Sequence, residues 1–180
     1  GTQGRSLGLW LILCCGGAYY VIGAGKQKGR LSTTLVLICA GLCAVLGILN
    51  GAGIDPLGFY EGIKKGQEET FLSTIGHFDF FGTYLVMIFG LASGVYVFDK
   101  KAIARIAAAI CAIVLALGMA VSRTDSALLG MNLVCLAIAA QSGGDYMKMA
   151  RAASLWGVCF AVLPAARAIA AVSVYQPQFT

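Results

Sequence analysis

Residues 80–122 read FFGTYLVMIFGLASGVYVFDKKAIARIAAAICAIVLALGMAVS. Two apolar runs, 80–98 and 102–122, are separated by the charged step Asp99-Lys100-Lys101. A hydrocarbon core about 30 Å thick is crossed by roughly 20 apolar residues rising 1.5 Å each, so both runs are long enough to span a bilayer. Working outward, the same criterion selects 7–25, 31–50, 126–141 and 153–175, the fifth run in chain order being short and the sixth interrupted by Arg167. The sequence therefore predicts an all-α, polytopic transmembrane bundle of about six helices, forming one transmembrane domain over residues 1–180. The run 7–25 is followed, not preceded, by the basic cluster Lys26, Lys28 and Arg30, which fits a retained helix better than a signal peptide. A first residue that is Gly and an end at Thr180 soon after an apolar run make the chain read as a piece of a larger polytopic protein.

Composition agrees with this architecture. The chain is 59% hydrophobic and 12% charged with mean hydropathy +0.84, against about 45–50% and about 25% for a soluble domain. Twenty-four Gly against 3 Pro suit helices that approach one another closely and exclude a disordered chain. The net charge of +5 is spread over short connections, so it points to membrane orientation and not to nucleic acid. The seven cysteines all lie in apolar runs without CxxC spacing or accompanying histidines, which indicates neither a zinc site nor a disulfide framework. Cys39 and Cys43, four apart, read as small packing residues.

The basic residues mark every second connection: Lys26, Lys28 and Arg30; Lys100, Lys101 and Arg105; Lys148 and Arg151. Residues 51–79 instead carry Asp55, Glu61, Glu68, Glu69 and Asp79 against Lys64 and Lys65, and the 122–125 connection holds only Arg123 and Asp125. By the positive-inside rule the first set faces the cytoplasm, which places residues 51–79, the Arg123 turn and both termini outside. Gly90-xxx-Gly94 and Ala40-xxx-Ala44 have the spacing of close helix contacts, a weak signal in a chain so rich in Gly and Ala.

The candidate chemistry lies on that outer side. Residues 51–84 form the longest non-spanning stretch, and Asp55-Pro56 and Gly58 argue against a helix continuing through it. Arg123 is predicted at the membrane boundary, where a permanently charged guanidinium forks onto phosphate oxygens; pairing with Asp125 or snorkelling to headgroups is the competing account. Arg167 is flanked only by apolar neighbours in the sixth run, where a charge costs at least about 2.5–3.5 kcal/mol unless it meets a polar cavity or partner; a shorter span would bring it to the interface instead. His77 and Asp79 flank Phe78 before the third run, and a hydrogen-bonded structural histidine is the more ordinary reading than a base.

Two stretches together resemble the O-antigen ligase and polysaccharide polymerase family of bacterial membrane glycosyltransferases. Residues 73–84, STIGHFDFFGTY, are similar to the family's S/G-T-x-G-N/H-x-N-x-x-G/A-x-Y/L entry into a helix. Ser122-Arg123, followed by Ser126 through Gly130, resembles its S-x-S-R-G/S-x-x-L-G signature. Asp55-Pro56-Leu57-Gly58 is similar to variants of the family associated with Gram-positive bacteria. The resemblance covers about residues 30–140 and departs from the pattern at Asp79, where Asn is commoner, and at Thr124-Asp125, where a small residue usually follows the arginine.

The resemblance implies a multi-pass protein of the bacterial inner or plasma membrane. It implies transfer of a glycan from a polyprenyl-diphosphate carrier to a glycan or lipid acceptor at the outer face, with no metal, nucleotide sugar or other cofactor. Arginines hold the diphosphate in that family. Arg123 occupies the matching position, and Ser122, Ser126, His77 and Asp79 fall within the matching motifs; Arg167 has no motif and is a candidate on burial alone. The family's large outer loop, with its acceptor-activating histidine, would lie beyond Thr180, so this chain alone is expected to be inactive. Two other classes compete: a secondary-transporter piece whose arginines line an anion path, against which there is no internal repeat, and a non-catalytic membrane scaffold, for which Arg167 is a needless cost.

Overall fold

The computed structural model describes residues 29–58 and 71–174, with side chains described at 29–58 and 72–164. The run 7–25, residues 59–70 and the Arg167 side chain lie outside this description. Five helices stand among the described residues: α1 (Gly29–Gly51), α2 (Phe78–Phe98), α3 (Ala102–Val121), α4 (Asp125–Gln141) and α5 (Tyr146–Val174). A two-residue ladder, β1 (Phe71–Leu72) with β2 (Gly76–His77), precedes α2; its strands are antiparallel and pair Phe71 with His77 and Leu72 with Gly76. The described residues are thus all-helical apart from this ladder and the connecting turns, and α1, α2 and α3 are long and apolar enough to cross a membrane. The 17-residue α4 is a shorter apolar helix, as its sequence predicts.

The chain divides into two compact units between Val36 and Leu37. In the first, the described residues are the opening turns of α1, where Thr33 and Thr34 donate their hydroxyls to the carbonyls of Gly29 and Arg30 at 2.6 and 2.8 Å. Such back-bonding satisfies a hydroxyl inside its own helix, the simplest solution where water is absent.

In the second unit α2 is the central element and packs on α3, α4 and α5, while α5 also packs on α3 and α4. Each helix buries one stripe at spacings of three and four residues. The stripes are Phe81, Leu85, Phe89 and Ala92 on α2; Ala108, Ala112, Leu115, Ala116 and Met119 on α3; Ala127, Met131 and Cys135 on α4; and Ala152, Leu155, Cys159 and Leu163 on α5. On α1 and α3 the buried residues are mostly small, whereas Leu35, Ile38, Leu42 and Val45 on α1 and Ile103, Ile106 and Ile110 on α3 point outward. Small side chains inside and large apolar ones outside is the arrangement that lipid favours, since hydrocarbon solvates Leu and Ile as well as a protein core does.

Ala40 and Ala44 are fully buried, and Gly47 continues the stripe to seat the Phe81 ring while Gly51 seats Val121. The Gly90-xxx-Gly94 spacing does not act in this way: Gly90 meets Val134 at ordinary distance and Gly94 has nothing within 4 Å.

One boundary differs widely from the sequence expectation. α5 begins at Tyr146, not near 153, because Asp145 accepts the Met147 and Lys148 amides at 3.0 and 3.3 Å and so caps a first turn that hydropathy cannot show. Pro164 lies inside α5, where it removes the amide that would bond to the carbonyl of Phe160, and position 167 follows it within the same helix.

Candidate functional site

At the end of the bundle opposite the Lys101 connection, three backbone features converge: the end of α1, the ladder leading into α2, and the turn between α3 and α4. The ladder's loop is anchored on α1. Ser73, in the left-handed region at φ 58°, donates its amide to Asn50 Oδ1 at 2.9 Å and its hydroxyl to the Cys43 carbonyl at 2.7 Å. Asn50 in turn donates to the carbonyl of Ile54 at 3.2 Å, and the Thr74 hydroxyl lies 3.7 Å from Cys43 Sγ. Cys43 is eight residues before Gly51, so the loop reaches about 12 Å down α1 at 1.5 Å per residue. Irregular backbone at that depth persists only where protein groups satisfy it, and Asn50 and the Cys43 carbonyl supply those partners.

His77 follows the ladder as the N-cap of α2. Its Nδ1 accepts the Asp79 amide at 3.3 Å, and its ring stacks on Phe78 with centroids 4.5 Å apart and meets Phe80 edge-on at 5.8 Å. Asp79 Oδ2 also lies 3.6 Å from Nδ1. The two contacts require opposite protonation of that nitrogen, and the capping bond is the better one because 3.6 Å exceeds hydrogen-bond range. Its Nδ1 is thereby engaged at the start of the helix. Asp79 is exposed in the first turn of α2.

The α3–α4 turn holds Ser122, Arg123 and Thr124. Ser122 N closes on Gly118 O at 3.0 Å and Arg123 N on Ala120 O at 3.3 Å, and Arg123 has φ 57°. This is the position after a helix where glycine is usual, because a Cβ is disfavoured there. Arg123, Asp125 and Ser126 are exposed, whereas Ser122 and Thr124 are buried.

The two stretches that carry the family resemblance, with about forty residues of chain between them, meet at Gly82. A Cβ on Gly82 would lie 2.6 Å from Thr124 Oγ1, 3.0 Å from Ala127 Cβ and 3.1 Å from Ser122 Oγ. Gly130, at the end of the second stretch, faces Val86 of α2, whose Cγ1 would be 2.9 Å from an added Cβ. Sequence reading found both stretches but could not show that their glycines are the mutual contact. It passed over Asn50, whose partner Ser73 lies 23 residues away, and noted Thr124 only as a departure from the family pattern, not as the partner of Ser122 across Arg123.

The opposite end of the bundle is basic. Arg151 donates to the Val97 carbonyl at 3.3 Å, Lys148 lies 3.1 Å from Asp145 and 6.0 Å over the Phe98 ring, and Lys101 N bonds to Asp99 Oδ1 at 2.7 Å. The Lys148 side chain and amide hold the Asp145 carboxyl below the usual aspartate range. Among the described residues no three His, Cys, Asp or Glu side chains come together as a metal would need. No family model matches the chain, and no match was found among curated proteins or solved structures.

Proposed function

We propose that this chain is part of a membrane glycosyltransferase of the O-antigen ligase and polysaccharide polymerase type. Such a protein transfers a glycan from a polyprenyl-diphosphate carrier at the outer face of a bacterial membrane. The observation that carries the reading is the contact at Gly82: the two stretches with family-like spacing pack together at one end of the bundle, and the turn they share presents Arg123. The basic residues Lys100, Lys101, Lys148 and Arg151 belong to the opposite end, so by the positive-inside rule the Arg123 end faces outward, and both termini with it in a six-span chain.

The chemistry is electrostatic. Departure of the diphosphate builds negative charge on its oxygens, and a fixed guanidinium in a low-dielectric site stabilises that charge without having to reorganise. Arg123 supplies a fork to two oxygens; Ser126, three residues on in the first turn of α4, and Asp79, in the first turn of α2, are exposed at the same end of the bundle. Arg167 remains a second candidate for the diphosphate on its sequence position.

The test uses the purified full-length protein in nanodiscs with a polyprenyl-diphosphate-linked glycan. Arg123→Lys keeps the charge and loses the bidentate geometry, so it is expected to lose most of the affinity. Lysine-variant affinity equal to wild type rejects Arg123 as the diphosphate ligand, and absence of any affinity in wild type rejects the transferase reading. Saturable uptake of a small anion by proteoliposomes would favour a transporter.

A further inference from the structure

Ser122 and Thr124 stand on either side of Arg123, and both are buried, at 2% and 6% exposure. The Ser122 hydroxyl has one hydrogen and donates it to the Met119 carbonyl at 2.7 Å. Its 2.5 Å contact with Thr124 Oγ1 therefore has Thr124 as the donor. A directed chain results, from Thr124 Oγ1–H to Ser122 Oγ–H to the Met119 carbonyl, and it closes across residue 123. Met119 is in the last turn of α3, where carbonyls lack an intrahelical amide; the Arg123 amide goes to Ala120 instead. Both flanks of the arginine are thus tied down inside the bundle while the arginine itself is exposed. Gly82 leaves the room that the two hydroxyls occupy.

We infer that Ser122 and Thr124 are positioning residues for Arg123: they hold the left-handed turn that aims the guanidinium, and they do not themselves touch the anion. This rests on the reading of Arg123 as the ligand of a lipid-linked diphosphate. It reassigns Ser122, which the motif alone placed among substrate contacts. A bidentate grip depends on the plane of the guanidinium, so a turn fixed before binding spares the ordering that a loose turn would require. Thr124, which departs from the small residue usual after the family's arginine, acts here as the donor that completes the chain.

Thr124→Val keeps the shape and removes the donor; Thr124→Ser keeps the donor. A nitroxide attached at position 123, in the full-length protein with its native cysteines replaced by alanine, should give an immobilised spectrum with Thr or Ser at 124 and a mobile one with Val. In the protein with Arg123 intact, Thr124→Val should weaken binding of a polyprenyl diphosphate about tenfold, the worth of one hydrogen bond, and Thr124→Ser should restore it. In an Arg123→Ala background the same valine substitution should change affinity little. An unchanged nitroxide spectrum, or an equal loss of affinity in both backgrounds, overturns the positioning role. If the labelled protein shows the spectral change with valine at 124 while the unlabelled wild-type protein has no affinity for the diphosphate, the ligand assigned to Arg123 is overturned and the turn stands, which separates failure of that reading from failure of the turn.

Discussion

Gly82→Ala and Gly94→Ala place the same change twice on α2, and the structure predicts opposite signs. Alanine is favoured over glycine in a helix by about 1 kcal/mol, and this gain is common to both variants. At Gly94 nothing lies within 4 Å, so the gain stands alone and the protein should become more stable by up to about 1 kcal/mol. At Gly82 the new methyl would sit 2.6 Å from Thr124 Oγ1, closer than real Cβ contacts come, with Ala127 and Ser122 behind it. Thr124 cannot rotate away without leaving Ser122, so the methyl imposes overpacking of about 1–3 kcal/mol and a lost buried hydrogen bond of about 0.5–1.5 kcal/mol. Taking the middle of each range and subtracting the propensity gain, Gly82→Ala should destabilise by about 2 kcal/mol, roughly 3 below Gly94→Ala. Unfolding of the detergent-solubilised protein by SDS, followed by tryptophan fluorescence, measures both variants on one scale. If the two alanines shift the midpoint equally, α2 does not meet the α3–α4 turn at Gly82 and the packing argument for the site fails.

Arg123→Gly should raise stability by up to about 1 kcal/mol, because glycine takes the left-handed conformation without strain, while removing diphosphate affinity; a loss of stability would show that the arginine is structural. Asn50→Leu leaves the buried Ser73 amide without its acceptor and should cost about 1–3 kcal/mol, with faster amide exchange at Ser73 as the local signature; unchanged exchange there refutes the anchoring of the loop. Single cysteines replacing Lys101 and Asp125 in a cysteine-free protein should react with an impermeant reagent only after permeabilisation and from outside, respectively, and the reverse pattern would invert the orientation. Asp145 has a lowered folded pKa, so its contribution is present above the unfolded aspartate value of about 3.9 and fades as pH falls through the folded value. Asp145→Ala should therefore lower the melting temperature at neutral pH and have a smaller effect at pH 3; equal effects at both would show that charge plays no part.

Hydropathy and length suffice to find α1 to α4 within two residues at most of their ends, because a bilayer demands a run of roughly 20 apolar residues whatever its neighbours are. Alternation of basic connections likewise places the Lys101 and Arg151 connections at one end and the Arg123 turn at the other without any knowledge of packing. Periodicity could not say which glycines matter. Gly90 and Gly94 have the spacing of a close contact and make none, whereas Gly82 and Gly130 make one with no mutual spacing to reveal it, since each faces a different helix. Local capping was also illegible: Asp145 starts α5 well before the apolar run, and a carboxylate bonded to two amides carries no hydropathy signal. The residues around the candidate site divide in the same way. Arg123, His77 and Asp79 stood out by residue type in an apolar chain, which is a property of sequence. Asn50 receives Ser73 across 23 residues, an encounter of separate elements. The Ser122–Thr124 and His77–Asp79 bonds join residues two apart, and what residue type does not show there is the local backbone geometry that aligns them and the burial of Ser122 and Thr124 against α2 at Gly82. Only the tertiary packing decides the Asn50–Ser73 bond and the burial of the Ser122–Thr124 pair at Gly82, because hydrogen-bond geometry is satisfied over tenths of an ångström and the chain's one-dimensional spacing does not carry that information.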